Sequence, residues 1–255
     1  MTLPSLPVIR LRPKIDPRPL MRGFSWVYAN QLVTDRRTRS LPPGTIVTLE
    51  DAERQELATA TINPNSKIIA RVLDRDTAAE IDAVWLRARL TRALELRQTF
   101  YDTPHYRLVH AEADGMPGTV IDRFGEAIVV QPNAAWIETL LPQLVDVLGE
   151  VTGASVIMKN AQGRARSLEG LDDVSAVLSG TLDGPVPVPM NGATYMADLE
   201  GGQKTGLFYD QRPNHAFVAR LSKGRDVLDV FSHVGGFALA ALANGASSAL
   251  AVDGS

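Results

Sequence analysis

Glycine and acidic residues with the spacing of a nucleotide-binding loop lie close to the end of the chain. A short apolar run, residues 227–231, is followed by the pair Gly235-Gly236 and then by an alanine- and leucine-rich run. A second apolar run, residues 249–252, ends on Asp253. Such apolar runs are typical of strands buried in a parallel sheet, and glycines let a ligand approach the backbone closely. The pattern therefore predicts a strand–helix–strand unit whose terminal acid accepts hydrogen bonds from a ribose.

The glycine loop also distinguishes between classes of ligand. A dinucleotide pyrophosphate site normally has three spaced glycines, whereas this loop has only Gly235-Gly236 and follows Asp229, an unfavourable neighbour for phosphate. S-adenosylmethionine carries an ammonium and a sulfonium and has no phosphate. An acidic strand end, a glycine loop and a second acid therefore favour S-adenosylmethionine. A strand–helix–strand segment that binds no ligand is the alternative.

A second candidate motif precedes this unit. Residues 198–212 read Asp-Leu-Glu-Gly-Gly-Gln-Lys-Thr-Gly-Leu-Phe-Tyr-Asp-Gln-Arg, which is too polar and too rich in glycine for a core element. The Gln-Lys-Thr-Gly-x-Phe-x-Asp-Gln-Arg run, with Phe-Ser-x-x-Gly-Gly-Phe after it, resembles the bacterial class I S-adenosylmethionine-dependent 23S rRNA (cytosine-5) methyltransferases. The resemblance covers nearly the whole chain. It implies that the methyl donor binds at Lys204, Thr205, Phe208, Asp210, Arg212, Asp229, Ser232, Gly235, Gly236 and Asp253.

The resemblance implies a chemistry for which one group is missing. C5 of cytosine is a poor nucleophile, and enzymes of this kind add a cysteine thiolate to C6 before methyl transfer. The sequence contains no cysteine, and only two residues follow Asp253. We therefore expect the N-terminal portion of a methyltransferase, with the nucleophile downstream and no catalytic residue of its own. A base nitrogen as the methylated atom, a non-catalytic RNA-binding protein with a vestigial nucleotide fold, and a NAD-type oxidoreductase are the alternatives.

The net charge of −3 divides unevenly along the chain. Residues 1–98 contain 16 Lys and Arg against 11 Asp and Glu, whereas residues 99–255 contain 10 against 18. A basic front end on an acidic body favours a nucleic-acid-binding module, with a solvated basic face as the alternative. The resemblance implies that this front end is a PUA-type RNA-binding barrel. We predict RNA contacts at Arg10, Arg12, Lys14 and Arg22.

The pattern of runs and turns predicts an α/β protein with several domains. Short strands without a long helix indicate a small PUA-like β-barrel over residues 1–73. Residues 74–185 are interpreted as a connecting helix and a central small α+β domain. Residues 186–255 are interpreted as the incomplete start of a Rossmann-like class I methyltransferase domain. Thr77 and Glu80 match a capping box, which predicts that the connecting helix begins there.

Two further motifs are interpreted as structural. Glu112 and Asp114 could suggest general acid–base chemistry, but a polar turn before a hairpin is the preferred interpretation. Asn191-Gly192 between two apolar runs predicts a hairpin that leads into the donor-binding motifs.

Composition argues against several other classes of protein. The sequence has no apolar run of membrane-spanning length and no signal peptide, so we expect a cytoplasmic protein. It has no cysteine for disulfides, and its four histidines lack ligand spacing, so we expect no metal site. The expected cofactor is S-adenosyl-L-methionine and the expected partner is ribosomal RNA of the large subunit, with no membrane. A homodimer is one alternative for the oligomeric state.

Overall fold

The N-terminal unit is a five-stranded sheet with two one-turn helices. The computed structural model describes residues 6–202 and 205–254. The elements of this unit are strands β1 (Val8–Arg10), β2 (Trp26–Val27), β3 (Thr45–Glu50), β4 (Glu56–Ile62) and β5 (Ala70–Asp74), with helices α1 (Arg18–Met21) and α2 (Arg36–Arg39). The strand order is β1-β3-β4-β5-β2, in which β1 and β3 are parallel and the other neighbours antiparallel.

The two edges of this sheet are linked through one segment. Main-chain amides of Arg12 and Val33 donate to the carbonyls of Gln31 and Arg10, so the segment after β2 runs beside β1. The sheet encloses its own apolar core, which is separate from that of the next unit. Strand pairing alone does not define the closed barrel expected from the sequence, which stays a prediction.

A long helix, α3 (Ala83–Phe100), connects this unit to the central one. Its N-cap is Asp82, whose side chain accepts a hydrogen bond from the Trp85 amide. The predicted start at the Thr77–Glu80 capping box is therefore wrong, because the chain passes both residues before the helix begins. Asp82 and Trp85 have the same three-residue spacing as Thr77 and Glu80. The N-cap rule therefore holds, but it is satisfied five residues further along the chain.

The central unit is a five-stranded mixed sheet with helices packed against it. Its elements are β6 (His105–His110), β7 (Thr119–Phe124), β8 (Ala127–Pro132), β9 (Val156–Lys159), β10 (Ala176–Ser179), α4 (Ala135–Thr139), α5 (Leu141–Thr152) and α6 (Arg164–Glu169). The order is β10-β9-β8-β7-β6; β8 and β9 are parallel, and the other neighbours are antiparallel. The ring centroids of Trp85 and Trp136 are 6.0 Å apart in the core beneath α3 and α4.

The C-terminal unit consists of a hairpin followed by a strand–helix–strand element. Its elements are β11 (Val186–Met190), β12 (Ala193–Ala197), α7 (Arg212–Leu221), β13 (Asp226–Val230), α8 (Gly236–Ala243) and β14 (Ser248–Val252). Asn191 and Gly192 have φ of 55° and 81°, which confirms the predicted hairpin turn. Strands β13 and β14 are parallel with α8 between them, which confirms the predicted strand–helix–strand unit.

A buried ion pair joins the N-terminal unit to the central unit. Arg71 on β5 donates to Glu169 at the end of α6 over 2.9 Å, and both side chains are at least nine-tenths buried. Asn63 and Ser66 also donate to the Glu169 carboxylate, at 2.9 and 2.7 Å. Because an unpaired buried charge is costly, these bonds hold the two units in one relative orientation.

Replacing the Glu169 side chain tests this orientation. Glu169→Ala leaves the buried guanidinium of Arg71 and two polar side chains without their acceptor, so we expect the free energy of unfolding to fall by about 3–5 kcal/mol. Urea denaturation followed by circular dichroism measures the change. The matched control is Glu150→Ala, since Glu150 pairs with Arg87 at the surface and surface pairs contribute little. Equal losses in the two variants would contradict the assignment.

Candidate methyl-donor site

A cavity of about 360 Å³ lies at the carboxyl ends of β13 and β14. In open α/β sheets, ligands bind at this edge, and small-molecule sites have volumes of roughly 300–1,000 Å³. The cavity is formed by the loop after β13, the start of α8, the residue after β14, and the segment that leads into α7. Its lining residues are Leu207, Phe208, Gln211, His215, Phe231, Ser232, His233, Val234, Gly236, Phe237 and Asp253.

The loop between β13 and α8 has a strained backbone that neighbouring groups hold in place. Phe231 and His233 have positive φ angles of 63° and 49°, and Gly235 has 75°. Left-handed conformations of residues other than glycine cost on the order of 1–3 kcal/mol and cluster at ligand sites. The amide of Phe231 donates to the Val252 carbonyl, and the amide of His233 donates to the Asp253 carboxylate over 2.7 Å. Asp253 therefore shapes the loop as well as facing the cavity.

Asp229 has a structural role within the same unit. Its carboxylate is buried and accepts a hydrogen bond from the Ala238 amide over 3.0 Å. The N-terminus of a helix carries partial positive charge and unpaired amides, which is what makes it attractive to phosphate. Here the Asp229 carboxylate already accepts the hydrogen bond of one of those amides, so the start of α8 is a poor phosphate site. Asp229 does not line the cavity.

His215 on α7, for which the sequence predicts no role, packs against the glycine loop. A Cβ atom at Gly236 would lie 2.5 Å from two atoms of the His215 ring, so this position requires glycine for close packing. The ring of Phe237 lies edge-on to the imidazole at 4.5 Å. Burial lowers the pKa of His215, although the charges of Asp229 and Asp210 oppose that shift. A neutral imidazole thus forms one wall of the cavity at pH 7.

The upstream motif is fixed to the central sheet by three residues. Thr205 is fully buried and donates to Asp122 over 2.7 Å. The Tyr209 hydroxyl donates to the Arg123 carbonyl over 2.7 Å. Arg212 donates to the carbonyl of His105 over 3.1 Å, and it also stacks on the Tyr101 ring. These contacts fix the path of the motif, so that Phe208 and Gln211, which lie between the anchored residues, reach the cavity.

The structure brings some of the predicted donor-binding residues together and separates others. Phe208, Ser232, Gly236 and Asp253 line the cavity, and Gly235 adjoins it as the N-cap of α8. Thr205, Asp210, Arg212 and Asp229 do not line it. Lys204 lies outside the described residues. Gln211, His215 and His233 also line the cavity, although the sequence assigns them no role. The place of His215 depends on how α7 packs on the loop, which the sequence does not show.

The predicted RNA-binding residues also divide into two groups. Arg10 pairs with Glu50 over 2.8 Å, and Arg12 donates to the Leu32 carbonyl over 2.8 Å, so both have partners within the chain. Lys14 and Arg22 are exposed. RNA contact at all four positions stays a prediction.

The acids of the 112–114 turn have structural partners. The Asp114 carboxylate accepts hydrogen bonds from two nitrogens of Arg97 and from the His110 amide. Glu112 accepts hydrogen bonds from the Trp26 indole and the Gly118 amide. The preferred interpretation of this segment as a polar turn agrees with these contacts.

The described part of the chain shows neither a metal-binding cluster nor a membrane-spanning helix. Over residues 6–202 and 205–254, no three His, Asp or Glu side chains are grouped so that they could hold a metal ion. No helix in the same ranges combines the length and apolar character needed to cross a bilayer.

Two family models match parts of the chain. Residues 9–75 match the family model of a PUA-like domain. Residues 140–255 match that of the S-adenosylmethionine-dependent methyltransferases. The chain also superposes on a Streptococcus mutans protein described as a SAM-dependent methyltransferase, with a TM-score of 0.80 at 20% identity, over 97% of this chain and 63% of that one. A second solved structure, described as a methyltransferase in complex with SAH, gives a TM-score of 0.79 at 20% identity, over 98% and 63% of the two chains.

In sequence, these two parts of the chain are thus similar to a PUA-like domain and to an S-adenosylmethionine-dependent methyltransferase. Curated relatives carry a more specific name. The chain is 32% identical to ribosomal RNA large subunit methyltransferase I of Cronobacter sakazakii over 92% of its own length and 60% of the relative. It is 33% identical to ribosomal RNA large subunit methyltransferase of Deinococcus radiodurans, over 98% and 63%. The chain thus spans about 60% of the length of the curated relatives it matches.

Two buried histidines predict how stability depends on pH. Burial, together with the charges of Arg212 and Arg123, lowers the pKa of His105, and burial lowers that of His215. The unfolded chain therefore binds more protons than the folded chain just below the ordinary value of about 6.5. We expect full stability above about pH 6.5 and a loss as the pH falls through that value. Each histidine contributes a slope of at most about 1.4 kcal/mol per pH unit.

Urea denaturation between pH 8 and pH 5.5 measures this slope. His215→Gln and His105→Gln should each reduce it, and the double variant should reduce it most. An unchanged slope in the double variant would show that other groups cause the loss.

Proposed function

We propose that the chain is the donor-binding and RNA-binding portion of an S-adenosylmethionine-dependent methyltransferase that acts on ribosomal RNA of the large subunit. The observation that carries this proposal is the cavity at the ends of β13 and β14, where Asp253 meets the glycine loop. Asp229 already accepts a hydrogen bond from an amide in the first turn of the helix that follows. The names of the curated relatives supply the RNA class.

The residues of the cavity fit the chemistry of the donor. S-adenosylmethionine, when bound, supplies a methyl group on a positively charged sulfur. Asp253 presents a carboxylate at the strand end where a ribose diol would donate hydrogen bonds. Phe208 and Phe237 provide aromatic walls against which an adenine can pack. The neutral ring of His215 adds no positive charge that would repel a cationic ligand.

The same geometry disfavours a NAD-type oxidoreductase. A dinucleotide places its pyrophosphate on free amides at the start of the helix after the first strand. In this chain the Ala238 amide is bonded to Asp229, and a buried carboxylate stands beside the place where phosphate would lie. A phosphate at the start of α8 would therefore meet electrostatic repulsion from Asp229, and S-adenosylmethionine has no phosphate to place there.

We further propose cytosine C5 of 23S rRNA as the methylated atom and the cytoplasm as the location. The motif pair around Thr205–Arg212 and Phe231–Phe237 supports the C5 class. This chemistry needs a thiolate, and the 255 residues contain no cysteine, so the proposal assigns the nucleophile to sequence outside them. A methylated base nitrogen would need no such thiolate.

The donor site is tested by calorimetric titration with S-adenosylhomocysteine. We expect binding, and we expect Asp253→Ala to weaken it about 10- to 100-fold, because a hydrogen bond to a charged group contributes about 1.5–3 kcal/mol. The matched control is Asp226→Ala, since Asp226 lies at the opposite end of β13 and bonds to Ser248. We expect the control to bind as the unmodified chain does.

The titration has two outcomes that would contradict the proposal. Equal affinities for Asp253→Ala and Asp226→Ala would remove Asp253 from the site. A complete lack of binding by the unmodified chain, and by any longer form that its gene encodes, would leave the strand–helix–strand unit vestigial and favour the non-catalytic RNA-binding alternative.

A further inference from the structure

One wall of the donor cavity is supported by a residue of the central sheet. Leu207 and Phe208 of the upstream motif line the cavity, whereas Thr205 is fully buried and does not. The Thr205 hydroxyl donates to the carboxylate of Asp122 on β7 over 2.7 Å. Asp122 is inaccessible to solvent and does not line the cavity either. A hydrogen bond outside the cavity therefore holds the segment that forms its wall.

Asp122 is itself fixed in place by an arginine. Arg107 on β6 donates to both carboxylate oxygens of Asp122, at 2.8 and 3.1 Å. Burial lowers the pKa of Arg107, but the hydrogen bonds and charge of Asp122, together with the charge of Asp210, outweigh burial and raise it. Asp210 belongs to the upstream motif, as Thr205 does. The Arg107–Asp122 pair therefore attracts the motif on both sides of residues 207–208.

The segment between these attachment points has little freedom to move. The Tyr209 hydroxyl donates to the Arg123 carbonyl over 2.7 Å, which gives the motif another bond to the central sheet. Only residues 206–208 lie between Thr205 and Tyr209. The position of Phe208 in the cavity is therefore set by bonds that its two neighbours along the chain make to the central sheet.

Phe208 in turn contacts the glycine loop. Its ring lies edge-on to the His233 imidazole, with the ring centroids 5.3 Å apart. The amide of His233 donates to the Asp253 carboxylate over 2.7 Å. A continuous series of contacts thus leads from Asp122, through the motif, to Asp253. A motif released from Asp122 would leave the glycine loop without its contact to Phe208.

We propose that Asp122 and Thr205 are positioning residues for the methyl donor, and that their hydrogen bond sets the affinity of a site that neither of them touches. Without this bond, the ligand must order the cavity wall when it binds, and ordering a loose segment lowers affinity. Asp253 keeps its own contacts in that case, so binding is weakened but not abolished. The inference rests on the proposed function for the identity of the ligand.

The hydroxyl is tested with Thr205→Val, which removes the hydrogen-bond donor and keeps the shape of the side chain. Calorimetric titration with S-adenosylhomocysteine should show an affinity about 3- to 30-fold lower, which is the range for residues that act on a site through others. Thr205→Ser keeps the hydroxyl and should bind as the unmodified chain does. This rescue distinguishes the hydrogen bond from the packing of the side chain.

A second buried hydroxyl provides a matched control. Ser66 donates to the Glu169 carboxylate over 2.7 Å. Glu169 is paired with Arg71, so this bond repeats the chemistry of Thr205 far from the donor cavity. Because Ser66→Ala and Thr205→Val each remove one hydrogen bond to a buried carboxylate, both should lower the urea midpoint of unfolding. We expect Ser66→Ala to leave the affinity for S-adenosylhomocysteine unchanged.

Asp122→Asn tests the other partner of the bond. It keeps the shape of the side chain but removes the charge that pairs with Arg107, so we expect weaker binding. Because both changes act on one hydrogen bond, the double variant should lose less affinity than the product of the two single fold-changes. Thermal unfolding of each variant shows whether the fold is retained. The comparison of Thr205→Val with Thr205→Ser decides the proposal if Asp122→Asn does not fold.

The outcomes distinguish this inference from the proposed function. If the unmodified chain binds S-adenosylhomocysteine and Thr205→Val binds it as tightly as Ser66→Ala does, the positioning role is wrong and the donor site stands. Equal losses in Thr205→Val and Thr205→Ser would also overturn the positioning role, because the hydroxyl would not be their cause. A lack of binding by the unmodified chain, and by any longer form that its gene encodes, would overturn both proposals.

Discussion

The buried carboxylate of Asp122 connects the donor cavity to the rest of the molecule. It is fully inaccessible to solvent, and it accepts hydrogen bonds from Arg107 within the central sheet and from Thr205 in the upstream motif. Because removing one partner from a buried charge costs several kcal/mol, the motif is held against β6 and β7. Phe208 and Gln211 are therefore positioned in the cavity by the central sheet rather than by the strand–helix–strand unit.

The opposite wall of the cavity depends on a steric constraint. His215 follows the motif on α7 and occupies the space that a side chain at Gly236 would need. The Tyr195 hydroxyl, whose pKa burial raises to about 12, donates to the Gly236 carbonyl over 3.2 Å from the other direction. The glycine loop is thus confined between a helix and a hairpin that both lie outside the strand–helix–strand unit. This explains how a loop with two left-handed residues other than glycine can persist.

The strand–helix–strand unit and the 191–192 hairpin could be predicted because their signals are local. Apolar runs, a glycine pair and an Asn-Gly turn determine their structure within a few residues. The roles of Asp229, Thr205 and Arg212 could not be predicted in this way, since their partners lie on other elements. The start of α3 differs from its predicted position for another reason: Thr77–Glu80 and Asp82–Trp85 satisfy similar capping rules, and sequence alone does not rank them.

The central hairpin of β6 and β7 separates the contacts that anchor the donor-site motif from a second cavity. The second cavity, of about 470 Å³, lies between the N-terminal unit, α3 and the end of these strands that carries the 111–115 turn. Tyr209 and Arg212 bind at the opposite end, which carries Arg123 and His105. Each strand has six residues, which corresponds to about 20 Å. Because paired buried charges fix both neighbouring units to the central sheet, that spacing is rigid.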